Sequence, residues 1–293
     1  MKVFVVLALL GVACASPTEP SAFGFIQNHA IPLGEKIRKA EEDFAAGRIV
    51  GGTASRLGEF PYQAGLLTSF SGLDGTGVCG GSLVSANRVI TAAHCWFDGT
   101  NQGWRFTVVL GSITLFSGGI RQDTSGVVMH PQWTPALLRN DVAVIYLPNR
   151  VTFSNTIAPV ALPSGSELNS DFAGATAVVS GFGLTSTGGG ISTAQFLSHV
   201  ILNVLTNRVC SFAIPFVIQD SHICTSGLGG TSTCQGDSGG PLVINLNGRP
   251  TLVNWCRILR LCIRLPHWFA CCIRSRHLIR GLLQLSHVNV EIK

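Results

Sequence analysis

The sequence predicts an all-β protein, on three observations. Short Val, Ile, Leu and Phe runs, such as Arg88 to Ala93, Phe106 to Leu110, Val142 to Leu147 and Ala175 to Ser180, recur between Gly, Ser, Asn and Pro punctuation. That spacing suits a barrel or a sandwich. The 34 glycines supply turns, and helical runs are few. Of 293 residues, 46% are apolar and only 12% charged. Such a chain buries a core and does not stay disordered.

From the N-terminus, Lys2 followed by the apolar stretch Val3 to Val12 and the small-x-small site Ala13-Cys14-Ala15 reads as a signal peptide, residues 1–15. The stretch is too short to span a bilayer, and export makes disulfides permissible. Residues 16–48 hold Glu35, Lys36, Arg38, Lys39, Glu41, Glu42 and Asp43 but no cysteine. They read as a pro-segment with a short helix, ending at Arg48 before Ile49-Val50-Gly51-Gly52. The β pattern then begins, and residues 151–166 read as a linker between two similar halves.

The net charge of +5 does not make a nucleic-acid protein. Residues 49–254 carry eight Arg and nine acidic groups, whereas residues 255–293 carry six Arg, one Lys and one Glu. The excess is a basic tail and not a basic face. No metal-ligand cluster, cofactor motif or membrane span is evident.

Three motifs carry chemistry through their order: Thr91-Ala92-Ala93-His94-Cys95 after an apolar strand, Asn140-Asp141-Val142-Ala143-Val144 before one, and Gly236-Asp237-Ser238-Gly239-Gly240-Pro241. Singly, each has a plain structural explanation. Together, behind Arg48-Ile49-Val50-Gly51-Gly52, the chain resembles the chymotrypsin/trypsin family from about residue 48 to 253, and within it the insect digestive chymotrypsins. The resemblance implies two six-stranded antiparallel β-barrels, residues 49–160 and 161–254, in a monomeric secreted endopeptidase that needs no cofactor and acts on proteins and peptides. It implies His94, Asp141 and Ser238 as base, orienting acid and nucleophile. It also implies an oxyanion hole from the N–H groups of Gly236 and Ser238, and a zymogen cut after Arg48 by a trypsin-like protease, with the new Ile49 amine pairing with Asp237. The base of the primary pocket falls at Ser232, where a neutral residue favours large apolar or aromatic side chains, with an elastase-like preference still open. Cys79 and Cys95 match one family disulfide, and Cys210 and Cys224 a second.

The resemblance stops near Asn254. Cys256, Cys262, Cys271, Cys272 and six Arg follow, and nine cysteines remain after signal removal, an odd number. Residues 255–293 read as a frame-shifted tail. Trp255-Cys256 and Trp268-Phe269 become glycines one base over, and the codon of Leu265 permits the one cysteine that makes three pairs. On this reading the second barrel is incomplete at its C-terminal end, and a catalytically inactive homologue with a binding or regulatory role is the rival to the enzyme. Residues 49–254 contain no lysine. This suits an alkaline gut lumen, where Arg keeps its charge, and equally a bias of composition.

Overall fold

The computed structural model describes residues 21–45, 55–183, 196–213, 218, 222–226, 237–255 and 269–273. Strands β1 (Gln63–Phe70), β2 (Gly77–Ser85), β3 (Arg88–Thr91), β4 (Gly103–Leu110), β5 (Ile120–Thr124), β6 (Val127–Met129) and β7 (Ala143–Tyr146) form one antiparallel sheet in the order β5-β4-β1-β2-β3-β7-β6. Its two edge strands are consecutive in the chain, with only Ser125 and Gly126 between them. The sheet must therefore curl until β5 and β6 meet at that corner. The Thr124 hydroxyl donates to the Tyr146 carbonyl at 2.7 Å, and Tyr146 N–H donates to the Gly126 carbonyl at 2.8 Å, which ties the corner to β7. The break makes seven strands where six were expected. Inside the curl lie Leu66, Leu83, Val89, Phe106, Val108 and Ile145, all buried.

The second half contains β8 (Thr176–Gly181), β9 (Ser198–Leu205), β10 (His222–Ser226), β11 (Pro241–Leu246), β12 (Arg249–Trp255) and β13 (Phe269–Ile273). They close as a barrel in the order β10-β13-β12-β11-β8-β9 around Val179, Leu202, Val204, Ile223, Leu242, Ile244 and Val253. This corrects the expectation of a barrel left open after residue 254. The sixth strand comes from the anomalous tail, because a β ladder is built by backbone groups and accepts any short β-prone run. Closure is uneven: β13 matches β10 over five residue pairs but meets β12 at one, Trp255 with Ile273.

The linker is shared between the halves. Val151, Ile157 and Val160 are buried in the first core, while Ala161 and Leu252 exchange backbone hydrogen bonds with the β12 hairpin and the linker. A short helix α2 (Asn207–Ala213) follows β9, and the Cys210–Cys224 disulfide ties it to β10.

At the N-terminal end, Ile26–Ala30 winds as a π-helix and runs into the longer helix α1 (Ile31–Ala45). Leu33, Ile37, Ala40 and Glu41 recur at helical spacing and are buried. Leu33 and Ile37 pack with Leu67, Val78, Val109, Leu115 and Phe182. Gly34 sits so close to the first sheet that a Cβ there would collide with the Thr76 carbonyl. The outer face carries Arg38 between Glu35 and Glu42.

Candidate active site

The site lies at the seam of the two halves. β3 pairs with β7 so that Thr91 faces Ala143, which brings the turn after β3 beside the turn before β7. His94 stands in the first, a 3-10 turn over Ala93–Cys95. Asp141 stands in the second, just after Asn140, which takes the left-handed φ of 56° that asparagine tolerates. The two side chains meet. His94 Nδ1 lies 2.7 Å from Asp141 Oδ2, and His94 backbone N–H donates to Asp141 Oδ1 at 2.9 Å. Both are almost fully buried, at 4% and 1% side-chain exposure. A buried carboxylate is tolerable only with such partners, and this geometry fixes the ring with Nε2 facing away from the acid. The Cys79–Cys95 disulfide clamps the His94 turn to β2. His94 neighbours both sulfurs, but these are bonded to each other and offer no thiolate to a metal.

Ser238 arrives from the second half, in the turn that leads into β11. Gly240 N–H donates back to the Asp237 carbonyl at 2.8 Å, and Gly80 N–H on β2 donates to the Ser238 carbonyl at 2.8 Å. The turn is thus hung on the first sheet beside the His94 segment. Gly239 has φ 81°, and a Cβ there would strike Thr91 Oγ1 and the Gly80 carbonyl. The close approach of the halves requires glycine at this position. Ser238 is completely buried. Among the described residues, His94 Nε2 and Ser238 Oγ are buried polar atoms without a hydrogen-bond partner.

Asp237 points the other way, and its Oδ1 accepts Gly183 N–H at 3.0 Å. Of the remaining sequence-predicted residues, Arg48, Ile49, Ser232 and Gly236 lie outside the described residues. Cys79–Cys95 and Cys210–Cys224 are both joined as disulfides.

Sequence reasoning missed the residues of the N-terminal segment that reach this site. The Phe25 ring stands edge-on to the His94 imidazole with centroids 4.3 Å apart. Ile26 N–H donates to the buried Asp98 carboxylate at 2.9 Å, which also accepts the N–H groups of Thr100 and Asn101. Glu41 accepts N–H groups of Leu115 and Phe116 at 2.5 and 3.0 Å. The signal was present in the 3–4 spacing of Ile26, Ala30, Leu33, Ile37 and Glu41.

Comparison with known proteins agrees with this architecture. The trypsin family model matches residues 49–255. A collagenase of Hypoderma lineatum is 37% identical over 201 residues, covering 68% of this chain and 73% of the relative. Trypsin alpha-4 of Lucilia cuprina is 38% identical over 214 residues, covering 72% and 78%. The solved structure of HL collagenase matches with a TM-score of 0.71 at 30% identity, over 82% of this chain and all of that one. With a family match over residues 49–255 and two curled antiparallel sheets meeting at a His–Asp pair and a serine turn, the chain belongs to the trypsin family and is a serine endopeptidase.

Proposed function

We propose that this protein is made as a secreted zymogen whose mature form hydrolyses peptide bonds through Ser238, His94 and Asp141. The observation that carries the reading is the His94–Asp141 pair, buried and doubly hydrogen-bonded, with Ser238 hung on β2 of the first sheet, the strand to which the Cys79–Cys95 disulfide clamps the His94 turn. Ser238 Oγ attacks the scissile carbonyl as its proton passes to His94 Nε2. Asp141 holds Nδ1–H and stabilises the imidazolium. The tetrahedral oxyanion is received by the N–H groups of Gly236 and Ser238. His94 then gives its proton to the leaving amine, and water repeats the sequence on the acyl-enzyme. These roles follow the handed-down template of the family.

The neutral Ser232 suits a large apolar or aromatic side chain, since nothing at that position pairs with Lys or Arg. Activation follows a cut after Arg48 by a trypsin-like protease, with the Ile49 amine taken up by Asp237. The leader at residues 1–15 and the digestive character of the resemblance support release into a gut lumen. One observation favours the rival reading of an inactive homologue. The family match ends at residue 255, where the sequence changes character, so the wall of the pocket is in question.

The test is direct. The precursor is cut after Arg48, treated with a serine-directed phosphonate, and assayed on peptides ending in Phe, Ala or Arg. Labelling at Ser238 with preference for Phe supports the reading, and an Arg48→Ala precursor of full activity would overturn the zymogen. An unlabelled Ser238 in the cut chain moves the inactive homologue to the front. Resequencing codons 250 to 286 of the transcript decides whether the tail is native.

A further inference from the structure

We infer that residues 22–45 are a folded inhibitor built into the precursor, which shuts the active site by covering it, and which after cleavage holds on only through non-covalent contacts. The inference rests on the proposed roles of His94 and Ser238, but its geometry does not.

The segment grips the molecule at six places along its length. Ala22 N–H donates to the Pro135 carbonyl at 2.9 Å, and Ile26 is fully buried with its N–H on Asp98. Between these two anchors Phe25 is held against His94. Further on, Leu33 and Ile37 enter an apolar cluster built from the first sheet, its loop at Leu115, and Phe182 and Leu197 of the second half. Glu41 is then seated on the loop at Leu115 and Phe116, with the Ser117 hydroxyl at 3.4 Å. Finally Phe44 meets Phe196, just before β9 of the second half, edge to face at 4.6 Å. The segment therefore spans both halves and passes over the imidazole between them.

Occlusion follows from position. A polypeptide substrate must reach both Ser238 Oγ and His94 Nε2, yet His94 is 3% exposed and Ser238 not at all. The Phe25 ring lies against the imidazole, with centroids 4.3 Å apart, where an approaching polypeptide would also have to fit. A pro-segment that only withheld the Ile49 amine would need no apolar face and no buried carboxylate. This one has both, at a cost in conformational entropy that only specific docking offsets.

Release is the second half of the inference. Residues 16–48 contain no cysteine, so a cut after Arg48 leaves the segment bound by these contacts alone. Cleavage turns an intramolecular contact into a bimolecular one, and occupancy then falls on dilution. The free segment is consequently an inhibitor of other activated copies. Its chemical class is an amphipathic helix led by an aromatic residue and closed by a carboxylate.

The experiment uses the full precursor, uncut and cut after Arg48, with two readouts. One is the rate at which diethyl pyrocarbonate modifies His94, mapped by mass spectrometry, which needs no turnover. The other is hydrolysis per molecule as a function of protein concentration, with the bound segment followed by size exclusion. Expected results are at least tenfold protection of His94 in the precursor and in the concentrated cut complex, and activity per molecule that rises on dilution as the segment leaves. Phe25→Ala raises His94 reactivity about tenfold in the precursor and leaves the released enzyme unchanged. Ile37→Ala moves half-release to at least tenfold higher concentration. Equal His94 reactivity in precursor, Phe25→Ala and released forms would overturn the inference. So would a segment that stays bound to a fully active enzyme. If His94 is unmasked on release while no hydrolysis appears at any dilution, the occlusion stands and the protease roles fall.

Discussion

His94 and Asp141 touch at two points, ring and backbone, and the two contacts have different consequences. The backbone N–H to Oδ1 bond is a positional contact that an amide oxygen also accepts. The Nδ1 contact selects the tautomer. Asp141→Asn is therefore expected to keep the fold and to lower kcat by about 10⁴, read on released enzyme with a Phe-ending peptide, while Ser238→Ala abolishes phosphonate labelling. Side chains away from the chemistry give a different signature. Leu66 is wholly buried in the first core, and Leu66→Ala is expected to lower unfolding stability by about 2–5 kcal/mol by denaturant titration. Gly239→Ala is harsher than its size suggests. It puts a side chain at φ 81° and into Thr91 and the Gly80 carbonyl, so it is expected to shift the Ser238 turn and to cost activity and stability together.

At the level of elements, the Cys79–Cys95 bond joins β2 to the His94 turn across a sequence separation of 16. Replacing both cysteines by alanine is expected to cost about 3 kcal/mol on the chain-entropy account of a loop this size, measured as a lowered denaturation midpoint. Helix α1 carries its own pH dependence through Glu41. Burial pushes that carboxyl above its ordinary 4.5, against the pull of the Leu115 and Phe116 N–H groups, the Ser117 hydroxyl and the Arg121 charge. Docking therefore favours the protonated form. The contribution is full below 4.5 and is lost as pH rises through the raised value. At fixed concentration the cut segment is expected to be retained better at pH 5 than at pH 8, by size exclusion, and Glu41→Gln is expected to flatten that difference.

For the whole molecule, the uneven closure of the second barrel predicts where it is weakest. β13 pairs along β10 but touches β12 at a single residue pair. A chain ending at residue 255 leaves β10 and β12 as open edges. It is expected to unfold at lower denaturant in the second half than in the first, which amide exchange on β11 against β1 resolves. The tail is thus structurally connected yet foreign in sequence to the family, and its native status is settled at the level of the transcript.

The ordered motifs around His94, Asp141 and Ser238 were legible in sequence because the chemistry restricts residue type and chain order at each. The all-β class was legible because short apolar runs and glycine punctuation are local properties. Three things were decided only in three dimensions. The corner at Ser125 and Gly126 splits one run into two strands, which depends on hydrogen bonds to distant Tyr146. The tail strand closes the second barrel through backbone pairing, which side-chain pattern barely registers. Residues 22–45 read locally as a charged stretch with a short helix. Their buried face exists only where Leu67, Val78, Leu115 and the His94 ring come together, because an amphipathic helix states that it will bury a face but not against what.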